Sequence, residues 1–195
     1  MGYDELFVKM KLAVESGVDI VQLRDKLGAS KDALKFCRKA LRWLNGRAVF
    51  IVNDRVDIAL IAGAHGVHLG QDDLPVPEAR KLLGRGKIIG KSCQTVQHLR
   101  QALAEGADYV GFGSVFKTLT KPDRQPMAPA RLKAAVRFSR GSGLPLFAIG
   151  GVTKKNLRML AEFGVSRAAV CRDILKADDV ASSVGEIKKA LDFCS

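Results

Sequence analysis

Short apolar runs alternate with longer amphipathic segments along the whole chain. The runs are three to six residues long and rich in β-branched side chains, which is typical of strands. They lie at Val18–Leu23, Ala48–Val52, Gly66–Leu69, Ile88–Gly90, Tyr109–Gly113, Leu144–Ile149 and Arg167–Val170. The segments between them repeat apolar residues at i, i+3 and i+4, the spacing of a helix with one buried face. We therefore predict seven strands and eight helices.

Glycine punctuates the ends of predicted helices, as at Gly63, Gly106 and Gly164, and a new strand follows at once. Strict alternation of strands and helices with short links favours a parallel sheet covered by helices. The nearly continuous apolar strands fit burial on both faces of that sheet. We predict an α/β fold of the TIM (β/α)8-barrel type, as one barrel domain over residues 1–195.

The competing fold is an open, doubly wound sheet. Such a sheet usually carries a glycine-rich phosphate loop after its first strand, and neither GxGxxG nor GxxxxGK[ST] occurs in the sequence. The barrel pattern has one irregularity, because no predicted strand precedes Tyr3. We expect the first strand of the barrel to be missing, which would leave sheet edges exposed.

Composition places the chain among ordinary globular proteins, with 47% hydrophobic and 27% charged residues. No apolar stretch reaches the roughly 18 residues of a membrane span, and the first residues lack the apolar core of a signal peptide. We expect a cytoplasmic protein without a membrane partner. The four cysteines are scattered, so we expect reduced thiols and no zinc site.

The net charge is +12, from 32 basic and 20 acidic residues. A solvated basic surface and a positive field that gathers anionic substrates both remain open as explanations. Nucleic-acid binding is disfavoured, because the basic residues are spread along the helices and aromatic residues make up only 6%. We expect small-molecule partners and no nucleic acid, and homo-oligomer formation stays open.

Polar residues at the carboxyl ends of the strands are the candidates for chemistry, because that end of a barrel forms the active site. Gln22, Arg24 and Lys26 are spaced by two, so on an extended strand they share one face. Two cations beside an amide suit a phosphate or diphosphate. The alternative interpretation is a surface turn with ordinary ion pairs.

Carboxylates follow the next two strands. Asn53 and Asp54 come after the second run, and Asp72 and Asp73 come after the third. Asp54 and Asp73 suit Mg²⁺, which takes one or two carboxylates together with water and phosphate oxygens. The alternative for both is N-capping of the helix that follows, and for Asp72 we favour that alternative.

Hydroxyl and ammonium donors occur in the second half of the chain. Ser92 follows the fourth strand and is either a phosphate ligand or a helix cap. Thr118, Thr120 and Lys121 lie in a long polar segment after the fifth strand, which we interpret as a lid loop.

A glycine pair follows the next strand. Gly150 and Gly151 precede a helix predicted to open at Thr153, so bare amides at a helix start would bind an anion. Loops after the last barrel strands are a common phosphate site.

Six motifs, taken in order, resemble thiamine-phosphate synthases over about Leu6 to Leu191. They are QLRDK at Gln22–Lys26, NDRVD at Asn53–Asp57, GVHLGQDD at Gly66–Asp73, GKS at Gly90–Ser92, TLTKP at Thr118–Pro122 and AIGG at Ala148–Gly151.

The resemblance implies a reaction that joins a pyrimidinylmethyl diphosphate to a thiazole phosphate, with Mg²⁺ as cofactor and diphosphate as leaving group. It implies that the pyrimidine diphosphate is bound by Gln22, Arg24, Lys26, Asn53, Ser92 and Lys121. Among these, Arg24, Lys26, Ser92 and Lys121 would be catalytic, and Asp54 and Asp73 would hold Mg²⁺. The thiazole phosphate would be bound by Thr118, Thr120, Gly150, Gly151, Cys171 and Arg172.

Two segments depart from the family pattern. Cys171-Arg172 stands where Val-Ser is common, and Cys93-Gln94 replaces Ala-His. The alternatives to a synthase are a thiazole tautomerase of the same fold and a non-catalytic protein that binds a phosphorylated ligand. Retention of Thr118, Thr120 and Lys121, together with the pair Arg24 and Lys26, favours the synthase.

Overall fold

The computed structural model describes residues 1–118 and 125–192. Contacts within the chain separate it into two compact units, Met1–Gly90 and Lys91–Ser195. Thr120 and Lys121 lie outside the described residues. Among the helices that are described, none is long and apolar enough to cross a membrane.

The first unit alternates helices and parallel strands. Its elements are α1 (Tyr3–Glu15), β1 (Ile20–Leu23), α2 (Ser30–Leu44), β2 (Val49–Asn53), α3 (Val56–Ala62), β3 (Gly66–Leu69) and α4 (Val76–Leu83). β1 pairs with β2, and β2 pairs with β3, both in parallel. β4 (Ile88–Cys93) crosses the boundary between the units and begins beside β3, where Ile88 N donates to His65 O at 3.0 Å.

Amphipathic spacing accounts for α2, which has the broadest buried face of the first unit. Phe36, Cys37, Ala40 and Leu44 are buried along one side of this helix. The Tyr3 ring of α1 stacks on Phe36 with centroids 5.1 Å apart. Burying one such large side chain contributes about 1.5–3 kcal/mol, so this face holds α1 and α2 together.

The second unit continues the alternation. It holds the end of β4, then α5 (Val96–Ala104), β5 (Tyr109–Phe112), α6 (Pro129–Ser142), β6 (Leu146–Ala148), α7 (Leu157–Glu162), α8 (Arg172–Leu175) and α9 (Val180–Asp192). β5 and β6 are parallel, and Gly113 N donates to Cys93 O at 3.1 Å beside the end of β4. The predicted α/β fold with parallel strands is confirmed.

Burial of the central strands follows the sequence pattern. Every residue of β3 and of β5 is buried, as expected for strands covered on both faces. Cys37, Cys93 and Cys171 are free cysteines. Burial raises the pKa of Cys37 to about 11 and that of Cys93 to about 12, so both thiols are protonated at neutral pH.

The predicted count of seven strands and eight helices is wrong, since the described residues form six strands and nine helices. The predicted strand Arg167–Val170 makes only one bridge, between Ala168 and Ala148. Arg167 and Ala169 are exposed, and alanine offers little surface for packing in a sheet. The additional helix, α8, has four residues, which is too short to show a period in the sequence.

Candidate functional site

The loop after β1 is organised by Asp25, which the sequence analysis did not single out. Its carboxylate accepts hydrogen bonds from the Tyr3 hydroxyl, from Leu27 N at 3.1 Å and from Gly28 N at 2.8 Å. The Tyr3 hydroxyl, followed by these amides, lowers the pKa of Asp25. An aspartate three residues before a glycine is a recognisable turn signal, and here it sets the path of the chain through Lys26.

Gln22 and Arg24 are both exposed and flank the buried Leu23, as alternation predicts. β1 ends at Leu23, however, so the direction of Lys26 is not set by strand alternation. The expectation that all three residues share a strand face is wrong for Lys26. Its position follows from the turn around Asp25.

Lys26 and Asp54 meet across the ends of β1 and β2. Lys26 Nζ lies 3.0 Å from Asp54 Oδ2, with side-chain exposures of 52% and 20%. Asp54 has a φ of 63°, in the left-handed region that few non-glycine residues adopt, and its N–H donates to His68 O at 2.8 Å. Such a conformation costs on the order of 1 kcal/mol and often marks a functional position. Here it directs the carboxylate toward the Lys26 ammonium.

Asp73 joins the same group from the end of β3. Its Oδ2 accepts a hydrogen bond from Gly70 N at 2.6 Å, and its carboxyl is hydrogen-bonded to Asp54. Burial, followed by the hydrogen bond with Asp54, raises the pKa of Asp73. Two carboxyl groups in hydrogen-bond contact share a proton or require a cation between them.

The capping alternatives are wrong for these aspartates. The N-cap residue of α3 is Arg55, and that of α4 is Pro75, so Asp54, Asp72 and Asp73 occupy neither cap position. Arg55 instead holds the start of α3. Its guanidinium donates to both carboxylate oxygens of Asp57, at 2.8 and 2.5 Å, and to Ser30 Oγ at 3.0 Å.

The donor set of the first unit fits a hard divalent cation. Asp54 and Asp73 form a hydrogen-bonded carboxyl pair, and burial followed by this hydrogen bond raises the pKa of Asp73. In the part of the chain that the structure describes, no cluster contains three or more Asp, Glu, His or Cys residues suited to a metal. Two protein carboxylates leave room for water and phosphate oxygens, which is how Mg²⁺ is usually held. Asn53 ends β2 directly before Asp54, half-buried.

In the second unit, the loop after β5 packs on the glycine pair after β6. Val115 N donates to Ile149 O at 2.9 Å, and Phe116 N donates to Gly150 O at 3.0 Å. A Cβ on Gly150 would lie 2.0 Å from Ser114 Oγ. Gly150 is therefore required by this close approach, which also brings the start of the predicted lid loop to the predicted anion site.

The turn after the glycine pair differs from the prediction. α7 begins at Leu157, so the expectation of a helix opening at Thr153 is wrong. Thr153 N donates to Asn156 Oδ1 at 2.9 Å, and Lys154 N donates to Asp173 Oδ2 at 2.8 Å. These two amides are already engaged, which leaves the amides before Thr153 as the donors for an anion.

The segment Cys171–Asp173 lies beside this turn. Cys171 is the exposed N-cap residue of α8, and Arg172 is the first residue of that helix. The bond from Lys154 N to Asp173 holds the segment there, and Ser183 Oγ donates to Asp173 O at 2.9 Å. The sequence analysis missed Asp173 and Asn156, although a polar residue three positions after Thr153 is a local turn signal.

The remaining candidates lie in β4 and in the loop after β5. Ser92 is half-buried between Lys91 and Cys93 near the end of β4, and Thr118 is the last described residue before residue 119. Lys91 was not predicted and is only 7% exposed, an uncommon degree of burial for a lysine.

Comparison with known proteins identifies the family. A family model described as thiamine monophosphate synthase matches residues 3–174. A thiamine-phosphate synthase of Synechococcus sp. (strain WH7803) is 43% identical over 183 residues, which cover 93% of this chain and 51% of that protein. Another, of Anaeromyxobacter dehalogenans (strain 2CP-C), is 40% identical over 182 residues, which cover 93% of this chain and 81% of that protein.

Solved structures agree with this assignment. A thiamine phosphate pyrophosphorylase from Pyrococcus furiosus has a TM-score of 0.85 and 30% identity, covering 95% of this chain and 89% of that chain. A 3-hexulose-6-phosphate synthase from Salmonella typhimurium has a TM-score of 0.73 at 16% identity, covering 100% of this chain and 96% of that chain, and shares the fold alone. The chain spans about half the length of its Synechococcus and Prochlorococcus relatives. The match over residues 3–174 shows that the chain belongs to the thiamine monophosphate synthase family.

Proposed function

We propose that this protein is a thiamine-phosphate synthase, which couples 4-amino-2-methyl-5-pyrimidinylmethyl diphosphate with a thiazole phosphate. The observation that carries the proposal is the cluster of Lys26, Asp54 and Asp73 at the ends of consecutive strands. Family membership and about 40% identity to thiamine-phosphate synthases support it. The reaction breaks the bond between the methylene carbon and the diphosphate oxygen, and the thiazole nitrogen forms the new C–N bond.

The first unit would bind the diphosphate. Asp54 and Asp73 would hold Mg²⁺, which when bound neutralises charge on the leaving diphosphate. Lys26 is half exposed, so its ammonium can leave Asp54 and contact the diphosphate once a metal replaces it. Arg24 adds a guanidinium at the same strand end, and Gln22 and Asn53 add amide donors. Such a site stabilises a departing anion without an acid–base pair.

The second unit would bind the thiazole phosphate. We assign this role to the Gly150-Gly151 turn with Thr118, Thr120, Cys171 and Arg172, and we assign diphosphate contacts to Ser92 and Lys121. The packing of the loop after β5 on the turn supports a shared role for Thr118 and Gly150. Arg172 directly precedes Asp173, whose carboxylate accepts from Lys154 N at 2.8 Å, and this neighbourhood supports a guanidinium contribution to the same anion. Holding the second substrate in place raises the rate at which its nitrogen captures the methylene cation.

The proposal also covers the domain organisation of the protein and its location in the cell. We propose one catalytic barrel domain over residues 1–195, acting on small molecules in the cytoplasm. Both substrates carry phosphate charges, which do not cross a bilayer unaided and so place the reaction where they are made.

The test is turnover of both substrates by the purified protein. We expect diphosphate release and thiamine phosphate formation that require Mg²⁺ and both substrates. Isomerisation of the thiazole compound alone would identify a tautomerase. Tight binding of the thiazole phosphate without turnover would identify a non-catalytic relative, and either result would overturn the proposal.

A further inference from the structure

The turn between β6 and α7 is held by the side chain of Asn156. Asn156 Nδ2 donates to Gly151 O at 2.9 Å, and its Oδ1 accepts from Thr153 N at 2.9 Å. Both polar ends of the amide therefore contact the turn. Asn156 occupies the N-cap position of α7, yet its side chain makes no capping bond to that helix within the described residues. The side-chain oxygen of an asparagine at this position usually accepts from the backbone N–H two or three residues later, whereas that of Asn156 accepts from Thr153 N, three residues earlier.

Three consecutive carbonyl groups of the turn accept hydrogen bonds. Ile149 O and Gly150 O accept from Val115 N and Phe116 N, and Gly151 O accepts from Asn156. A trans peptide unit is planar, with its carbonyl and its N–H pointing in opposite directions. Fixing a carbonyl therefore also aims the N–H of the residue that follows. Asn156 thereby sets the direction of the Val152 N–H.

This restraint matters because the two glycines would otherwise leave the turn flexible. Gly150 and Gly151 have φ values of 88° and 68°, and glycine reaches many other conformations at little cost. Thr153 N and Lys154 N are engaged by Asn156 and Asp173, so they are not available to an anion. The amides of Gly151 and Val152 donate to no acceptor among residues 1–118 and 125–192.

We infer that Asn156 is a positioning residue for the phosphate of the thiazole substrate, acting through the Val152 N–H. The inference rests on the proposed function and specifies how that subsite is built. Asn156 does not touch the substrate. It holds the peptide between Gly151 and Val152 so that the amide faces the phosphate before the substrate arrives, which removes an ordering cost from binding.

The experiment compares Asn156→Ala and Asn156→Ser with Met159→Ala as the control, since Met159 is an exposed residue of α7 outside the turn. Serine can cap α7 but cannot reach both turn groups, so it separates helix capping from positioning. Calorimetry with the thiazole phosphate alone should show about tenfold weaker binding for both Asn156 variants, the loss expected for one amide hydrogen bond to an anion. Affinity for the dephosphorylated thiazole alcohol and for the pyrimidine diphosphate should change by less than about twofold.

A second readout follows the amide itself. In ¹H–¹⁵N spectra, thiazole phosphate should shift the Val152 signal of the unaltered protein strongly, and this shift should be lost in Asn156→Ala. Full affinity in Asn156→Ser, or equal loss for thiazole phosphate and thiazole alcohol, would show that Asn156 only stabilises the fold.

Neither measurement needs turnover, so a protein that binds but does not couple would fail the proposed function and leave this inference supported. If the thiazole phosphate does not bind, a titration with inorganic phosphate takes its place. Asn156-dependent movement of the Val152 signal then supports the inference, and an unmoved Val152 signal overturns it.

Discussion

The two units present their candidate sites with different chemical groups. In the first unit, the charged side chains Lys26, Asp54 and Asp73 carry the chemistry and lie in the loops that follow consecutive strands. In the second unit, the candidate donors are backbone amides of the turn after β6, and the side chains of Asn156 and Asp173 engage its other amides. The first arrangement suits a metal and a diphosphate, whose high charge density requires full charges. The second suits a phosphate monoester, which amide donors of fixed direction bind well.

The contrast also concerns tolerance to substitution. Removing a side chain from the charged site deletes a ligand and leaves the backbone in place. Adding a side chain to the turn disturbs the backbone that provides the ligands. We therefore expect substitutions in the first unit to affect activity most, and substitutions in the turn to affect stability as well.

The largest effect is expected from Asp73→Ala, which removes one carboxylate of the metal pair. Mg²⁺-dependent coupling should fall by about 100-fold, the loss typical of deleting one electrostatic element of an active site. Asp72→Ala is the matched control, because Asp72 is the exposed neighbouring aspartate, and its activity should stay within about twofold. Steady-state kinetics and circular dichroism measure activity and fold. Equal losses of activity in both variants would show that Asp73 is not a specific ligand of a metal site in the first unit.

A stability effect of intermediate size is expected from Gly150→Ala. The substituted residue would be strained at a φ of 88°, and its Cβ would lie 2.0 Å from Ser114 Oγ and 2.7 Å from Ser114 Cα. Gly46→Ala is the control for strain alone, because Gly46 has a φ of 84° and nothing within 4 Å of the added Cβ. We expect the free energy of unfolding to fall by about 3 kcal/mol for Gly150→Ala and about 1 kcal/mol for Gly46→Ala. Urea titration measures both free energies of unfolding. Equal losses in the two variants would show that the loop after β5 moves away from the added Cβ at little cost.

The smallest effect is a pH-dependent stabilisation by Mg²⁺. The pKa of Asp73 is raised in the folded protein, so its protonated form stabilises the fold fully below its ordinary pKa of 3.8. That contribution is lost as the pH rises through the raised pKa, where Mg²⁺ can replace the proton. Millimolar Mg²⁺ should therefore raise the Tm by about 2–4 °C at pH 7.5, and by much less near pH 4.

Two variants test whether the increase in Tm comes from Mg²⁺ bound at the carboxyl pair. Calorimetry of Asp73→Asn should show no increase in Tm with Mg²⁺, whereas Asp72→Asn should keep the increase. A Tm increase of the same size at both pH values would mean that the cation binds away from the carboxyl pair.

Most of the fold follows from patterns that extend over a few residues. Runs such as Gly66–Leu69 and Tyr109–Phe112 are mostly apolar and are buried at every residue. The helices between the strands repeat apolar residues with a period near 3.6, so element type and order could be predicted. The Arg167–Val170 run could not be predicted correctly. Its small residues carry weak local preferences, and whether they form a strand depends on the partner available at Ala148.

The same division applies to the candidate sites. Charged residues in the loops after strands are local features, and parallel strands align their ends, so Asp54 and Asp73 could be placed together from the sequence. Local turn signals mark Asp25 and Asn156, but only the tertiary structure decided that they contact Tyr3 and Gly151 and that Asp173 contacts Lys154. The physical reason is that a carboxylate carries its charge wherever it lies, whereas a backbone amide becomes a ligand only when its direction is held by other parts of the chain.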